Sequence, residues 1–287
     1  MNEKIQPFPK DNTLSVSTTK ESKLDRSVFF IILSLAFLIP MFFIPQAMLE
    51  VSKSVLISTL VTTAFFLWLV ARMKDGKFVF PKSLLLLSGL ALPVAFLASG
   101  IFSEVPRVSL LGLGYETGTF ATILTLFLLM FLASVFFQQQ TRIFYLYSAF
   151  LISFVITFLF QVGVIILAAF SLLPAKFLSA IPANLIGKWT DLAAFFGLVL
   201  ILSLVAIELI ALRKPLKIFL SVVIGLSFFS LILINFSLLW IIIGFLSLVV
   251  SVYALSFSPE NGKEGKSPLA RKFPVISFGI LLLSLLF

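Results

Sequence analysis

LKIFLSVVIGLSFFSLILINFSLLWIIIGFLSLVVSVYALSF, residues 216–257, is a run of 42 residues with a single charge, Lys217. A helix that crosses about 30 Å of hydrocarbon needs only about 20 residues. The run is therefore too long for one span. Its one amide side chain, Asn235, divides it into two segments, 216–234 and 236–257, joined by a tight turn at one membrane face. Two adjacent apolar helices with no room between them for a soluble domain decide the fold class: an all-α, polytopic bundle of transmembrane helices.

Composition agrees. Hydrophobic residues make up 60% of the 287-residue chain, charged residues only 11%, and the mean hydropathy is +1.18. Soluble domains are about 45–50% apolar and about 25% charged. A soluble fold and a disordered chain are both excluded. Reading outward from 216–257, further apolar segments fall at 28–44, 54–70, 83–101, 119–137, 143–173, 191–212 and 273–287. That makes eight complete spans and a ninth that stops after about 15 residues, short of a full crossing. The domain pattern is a flexible polar tail over 1–26 and a transmembrane domain over 27–287, read as part of a longer domain.

Lys and Arg in short loops mark the cytoplasmic side. Arg72, Lys74, Lys77 and Lys82 lie in one loop, Arg142 in the next on that side, then Arg213, Lys214 and Lys217, then Lys263, Lys266, Arg271 and Lys272. With Lys4, Lys10, Lys20, Lys23 and Arg26 of the tail they account for 17 of the 21 basic residues. Lys53, Arg107, Lys176 and Lys188 fall on the other side. This places the N-terminus in the cytoplasm. It also explains the net charge of +9 as topological, so nucleic acid is not an expected partner.

The chain contains no Cys and no His. There is no thiolate nucleophile, no disulfide framework and no imidazole ligand or base. No metal or other cofactor is expected. The outer loops carry the candidate groups. The second packs Arg107, Tyr115 and Glu116 among three glycines. Arg107 suits bidentate phosphate contact, and Glu116 suits a base or a partner for Arg107. Their structural alternative is an interfacial hairpin with Tyr115 at the headgroups. The third outer loop carries Lys176 and Lys188, suited to an anionic headgroup, and Trp189, suited to the interface or to a sugar ring. Thr190 or Asp191 is positioned to cap the helix that follows. Glu208 is expected near Arg213, and Gly197 and Gly244 are expected to admit close helix approach.

Two segments carry a resemblance. ASGIFSEVPRVSLLGLGYETGTFATILTLFLLMF, 98–131, and NLIGKWTDLAAFFGLVLILSL, 184–204, are similar to segments of the O-antigen ligase and polymerase family of bacterial membrane glycosyltransferases. Ser103, Ser109, Gly112, Gly114 and Gly118 fit its loop pattern in the first, and the asparagine–glycine start fits in the second. The resemblance implies transfer of glycan from a polyprenyl diphosphate carrier to a glycan acceptor, at the outer face of the cytoplasmic membrane and without a metal. It implies carrier contacts through Arg107, Tyr115, Glu116, Lys176, Lys188 and Trp189. The family's later outer loop with its arginines and histidine has no counterpart, and Glu116 stands where many relatives have an arginine. The expectation is an N-terminal portion that binds donor and is inactive alone. The competing readings are a lipid-linked glycan flippase or other transporter, and a non-catalytic assembly subunit.

Overall fold

The computed structural model describes residues 22–44, 48–76, 84–112, 118–170, 184–210, 212–256 and 274–284. Among them are ten helices: α1 (Lys23–Leu38), α2 (Leu49–Asp75), α3 (Leu84–Ile101), α4 (Pro106–Leu111), α5 (Phe120–Phe136), α6 (Gln140–Ala169), α7 (Trp189–Leu209), α8 (Lys214–Ile234), α9 (Ser237–Ser256) and α10 (Val275–Ser284). The fold is all-α. Six of these helices, α2, α3, α6, α7, α8 and α9, are long and apolar enough to cross a membrane. The chain is a multi-pass membrane protein.

The Asn235 division is where the sequence places it. Asn235 ends α8 in the left-handed conformation, φ 48°, and its N–H donates to the Leu231 carbonyl. Asn tolerates that region better than other residues with a Cβ. The first helix differs from the 28–44 expectation. It starts at Lys23, so residues 23–26 are helical rather than tail. The Ser22 hydroxyl accepts from the Leu24 N–H at 3.2 Å, which sets the start, and Pro40 follows the last turn. At 16 residues, α1 is shorter than a standard span.

Packing falls into two groups of helices. Val28, Phe29 and Ile32 of α1, Ala64 and Trp68 of α2, and Phe131, Leu132 and Phe136 of α5 form one buried cluster. Trp68 meets Phe131 edge-on at 5.0 Å. α3 packs on α5. The second cluster is built around α7, the most enclosed span, with α6, α8, α9 and α10 contributing Phe154, Leu220, Val223, Trp240, Ile243 and Ile280. α6 joins the two groups, packing on α1 and on α7.

Small residues set the closest approaches, as the sequence predicts. A Cβ on Gly197 would stand 3.0 Å from Leu239, and one on Gly244 would stand 2.6 Å from the Ser284 hydroxyl. Beside Gly244, Ser247 donates to the Ser277 carbonyl, and Ser251 bonds the Ser277 hydroxyl at 2.9 Å. Short α10 is therefore fastened to α9 by buried hydroxyls, the means by which apolar helices associate where burial from water supplies no drive.

Candidate functional site

The bundle has two ends with different electrostatics. At the first, Arg72 of α2 reaches Asp25 of α1, with its Nη2 2.6 Å from both carboxylate oxygens, and lies 3.5 Å from Asp75. Beside this pair, Arg142 at the start of α6 donates to the Phe136 carbonyl at 3.2 Å and stacks over the Phe29 ring at 5.1 Å. Arg72 and Arg142 are thus held by the protein itself, while Lys23, Arg26, Lys74, Arg213, Lys214 and Lys217 are exposed at this end.

At the opposite end, the starts of α2 and α7 meet. The turn before α7 is built by Asn184. Its buried carbonyl oxygen accepts from the backbone N–H groups of Ile186, at 3.0 Å, and Gly187, at 2.7 Å. Gly187 follows at φ 137°, a conformation that side-chain-bearing residues rarely adopt. Asp191 in the first turn of α7 accepts from the Lys188 N–H at 3.2 Å. The sequence expectation of a cap from Thr190 or Asp191 is met by Asp191, with the helix opening two residues earlier at Trp189.

That turn presents the Ile186 carbonyl to Lys53, whose Nζ donates to it at 2.7 Å across 133 residues of sequence. Next to it the Lys188 ammonium lies 3.0 Å from the Glu50 carboxylate. Asp191 lies within electrostatic reach of both lysines. The bond from Glu50 raises the Lys188 pKa above its ordinary 10.5, so Lys188 is a cation at neutral pH. Trp189 is half-exposed beside it, whereas Trp68 and Trp240 are buried. Glu50 also lies in the first turn of α2, where a carboxylate complements the positive end of the helix dipole.

Of the residues singled out in the sequence, Lys188 and Trp189 are in this cluster. Arg107 is in the short helix α4, exposed, at the same end of the bundle because α5 runs from there to the Arg142 end. Among the described residues no ion pair or hydrogen bond joins Arg107 to the cluster. Tyr115, Glu116 and Lys176 lie outside the described residues. The Ser103 and Ser109 hydroxyls bond each other at 2.8 Å and hold the α3–α4 corner. Glu208 makes no ion pair with Arg213 among the described residues. Lys53, Glu50 and Asn184 are the additions. Asn184 and Gly187 carried a signal, since an Asn three residues before a Gly marks a turn.

The arrangement offers an ammonium in an exposed, exchangeable ion pair, a second ammonium held by a carbonyl, and an aromatic face. It can bind an anion and stack on a ring. Among the described residues no three His, Cys, Asp or Glu side chains gather as a metal site. The sequence matches no family model, no curated protein and no solved structure.

Proposed function

We propose that this chain binds a polyprenyl diphosphate-linked glycan at the outer face of the cytoplasmic membrane, in the manner of the donor side of an O-antigen ligase- or polymerase-like protein. One observation carries the reading: Glu50, Lys53, Lys188, Trp189 and Asp191 come from two distant stretches of sequence to one end of the bundle. In this reading the diphosphate takes Lys188 from Glu50, and Trp189 covers the first sugar or the isoprenoid boundary. The basic Arg72 end faces the cytoplasm, with the N-terminus on that side, as the excess of Lys and Arg in its loops requires.

Donor binding is the step this cluster supports. Transfer needs in addition a group that takes a proton from the acceptor hydroxyl; before donor binds, Glu50 is engaged with Lys188 and Asp191 with the α7 turn. The expected occupants are the lipid-linked donor and surrounding membrane lipids.

The test is photocrosslinking of the full chain in lipid nanodiscs with a labelled polyprenyl diphosphate-linked sugar. Label is expected on the peptide holding Lys188 and Trp189, reduced severalfold by Lys188→Ala and increased by Glu50→Gln, which frees the ammonium. Label confined to the Arg72 end, or no higher than on an unrelated membrane protein, refutes the reading. One observation favours transport instead: α6 carries a polar face within the bundle.

A further inference from the structure

The two buried apolar clusters share no residue: one is drawn from α1, α2 and α5, the other from α6 to α10. Among the described residues, helix packing across the divide runs chiefly through α6, which lies on α1 and on α7. Its contacts to α7 fall in its first half. The Tyr147 hydroxyl donates to Ser203 Oγ at 3.3 Å, and the Phe150 and Phe154 rings meet Phe195 and Phe196 edge-on. Arg142, in the first turn, ties the same end of α6 to Phe136 and Phe29 of the other cluster.

The outer end is joined differently. There α2 of one cluster meets the turn before α7 of the other through two polar contacts, Lys53 to the Ile186 carbonyl at 2.7 Å and Lys188 to Glu50 at 3.0 Å. Each side is fixed independently of the other. The fully buried Ser52 hydroxyl accepts from the Ile44 N–H and donates to the Met48 carbonyl, which pins the start of α2. Asn184 and Asp191 pin the turn before α7. Parting the two contacts therefore disturbs neither side. The Glu50–Lys188 pair is exposed, so water and salt screen both charges as they separate. From Ser203 to Trp189 is about 21 Å along α7, so a turn of about 10° about the Tyr147–Ser203 contact carries the Lys188 end about 4 Å away, enough to part both contacts.

We propose that α2 and the turn before α7 form a latch: the two helix clusters pivot on the first half of α6, and the Lys53 and Lys188 contacts hold their outer ends together. A phosphate group that takes Lys188 from Glu50 leaves the Lys53 bond to carry the latch alone. The seam between α2 and α7 then opens toward the outer face while the Arg72 end stays closed. The latch stands on the protein's own contacts. Its opening by a diphosphate rests on donor binding at Lys188.

The test is double electron–electron resonance of the full chain in lipid nanodiscs, with spin labels placed in pairs in this Cys-free sequence. Met48→Cys with Leu238→Cys, both at exposed positions, reports the outer ends of the two clusters; Met73→Cys with Ile218→Cys, also exposed, reports the Arg72 end. When Glu50→Gln and Lys53→Met are combined, the outer pair should gain a population longer by about 4 Å or more, raised about fivefold over the natural chain, with the inner pair unchanged. Glu50→Gln alone, at an exposed site, should raise that population about twofold. An outer distribution in the combined variant identical to the natural chain's overturns the proposal. So does equal lengthening at both ends, which is general loosening. If the combined variant does not fold, Glu50→Gln decides by the same outcomes. Polyprenyl diphosphate-linked sugar added to the natural chain is a separate arm. If the variants open the outer end and the lipid-linked sugar does not, the latch is supported and donor binding at Lys188 is refuted. If the variants leave the outer end shut, the latch is refuted whatever the lipid-linked sugar does.

Discussion

Replacing Arg72 with Met tests whether the α1–α2 pair is held by charge at its end or by its apolar seam alone. The Asp25 and Arg72 side chains are only 13% and 19% exposed, and Nη2 is 2.6 Å from both carboxylate oxygens. An exposed ion pair is worth about 0–1 kcal/mol. Removing one partner of a buried pair costs about 3–5 kcal/mol, because the other charge is left without compensation. The residual exposure of Asp25 lets some water reach it, so the expected loss is about 2–4 kcal/mol, or between one and three decades in the folded-to-unfolded ratio. Asp25→Asn should cost less, since the amide still accepts from the guanidinium. The assay is denaturant titration in mixed micelles of the two single variants and of the Asp25→Asn, Arg72→Met double variant. The double variant should be more stable than the sum of the singles by about 1–3 kcal/mol. Glu50→Gln, which breaks an exposed pair, should leave the midpoint unchanged in the same titration. Strict additivity, or an Arg72→Met loss no larger than that of Glu50→Gln, refutes the reasoning.

Cysteines placed at Ser251 and Ser277, whose hydroxyls are 2.9 Å apart, should form a disulfide in this otherwise Cys-free chain. Adding Gly244→Val, whose side chain would press on Ser284, should abolish that crosslink and cost about 1–3 kcal/mol. Asn235→Gly should leave stability nearly unchanged, and Asn235→Val should cost about 1–2 kcal/mol, because a β-branched residue is strained at φ 48°. Ser52→Ala should cost about 1–3 kcal/mol in the same titration, since the fully buried Ser52 hydroxyl accepts from the Ile44 N–H at 3.1 Å and donates to the Met48 carbonyl.

What was legible in the sequence follows from range. The break at Asn235 is a local conflict between span length and apolar run, and the chain resolves it locally. The approaches at Gly197 and Gly244 were legible as small residues in helices with little else to bring them close. Helix α4 was missed although Pro106 marks its first turn, because six residues give no periodicity to read. The start of α1 was set too late because the charges of Lys23, Asp25 and Arg26 look like tail. In fact Asp25 is spent on Arg72, 47 residues away. Lys53 was similarly illegible as a site residue. Its partner is a backbone carbonyl that exists in the right place only once Asn184 has folded its turn.

The two ends of the bundle differ in what a ligand would cost the ion pair it breaks. An anion that takes Arg72 itself must compete with a carboxylate that the helix pair buries, and displacing it would leave Asp25 without a partner; the exposed Lys23, Arg26, Lys74, Arg213, Lys214 and Lys217 of that end carry no such constraint. Arg142 there is occupied by a carbonyl and a ring. At the other end Lys188 holds Glu50 in an exposed pair, which solvent screens and which exchanges partners readily. A phosphate group that takes Lys188 leaves Glu50 hydrated, not stranded. Ligand binding should therefore be sensitive to salt and should alter the fluorescence of half-exposed Trp189 while leaving the α1–α2 stability unchanged. Trp189→Phe should remove the polyprenyl diphosphate-dependent fluorescence change. A change that persists in that variant comes from Trp68 or Trp240, inside the two clusters, and would place the ligand somewhere other than beside Lys188.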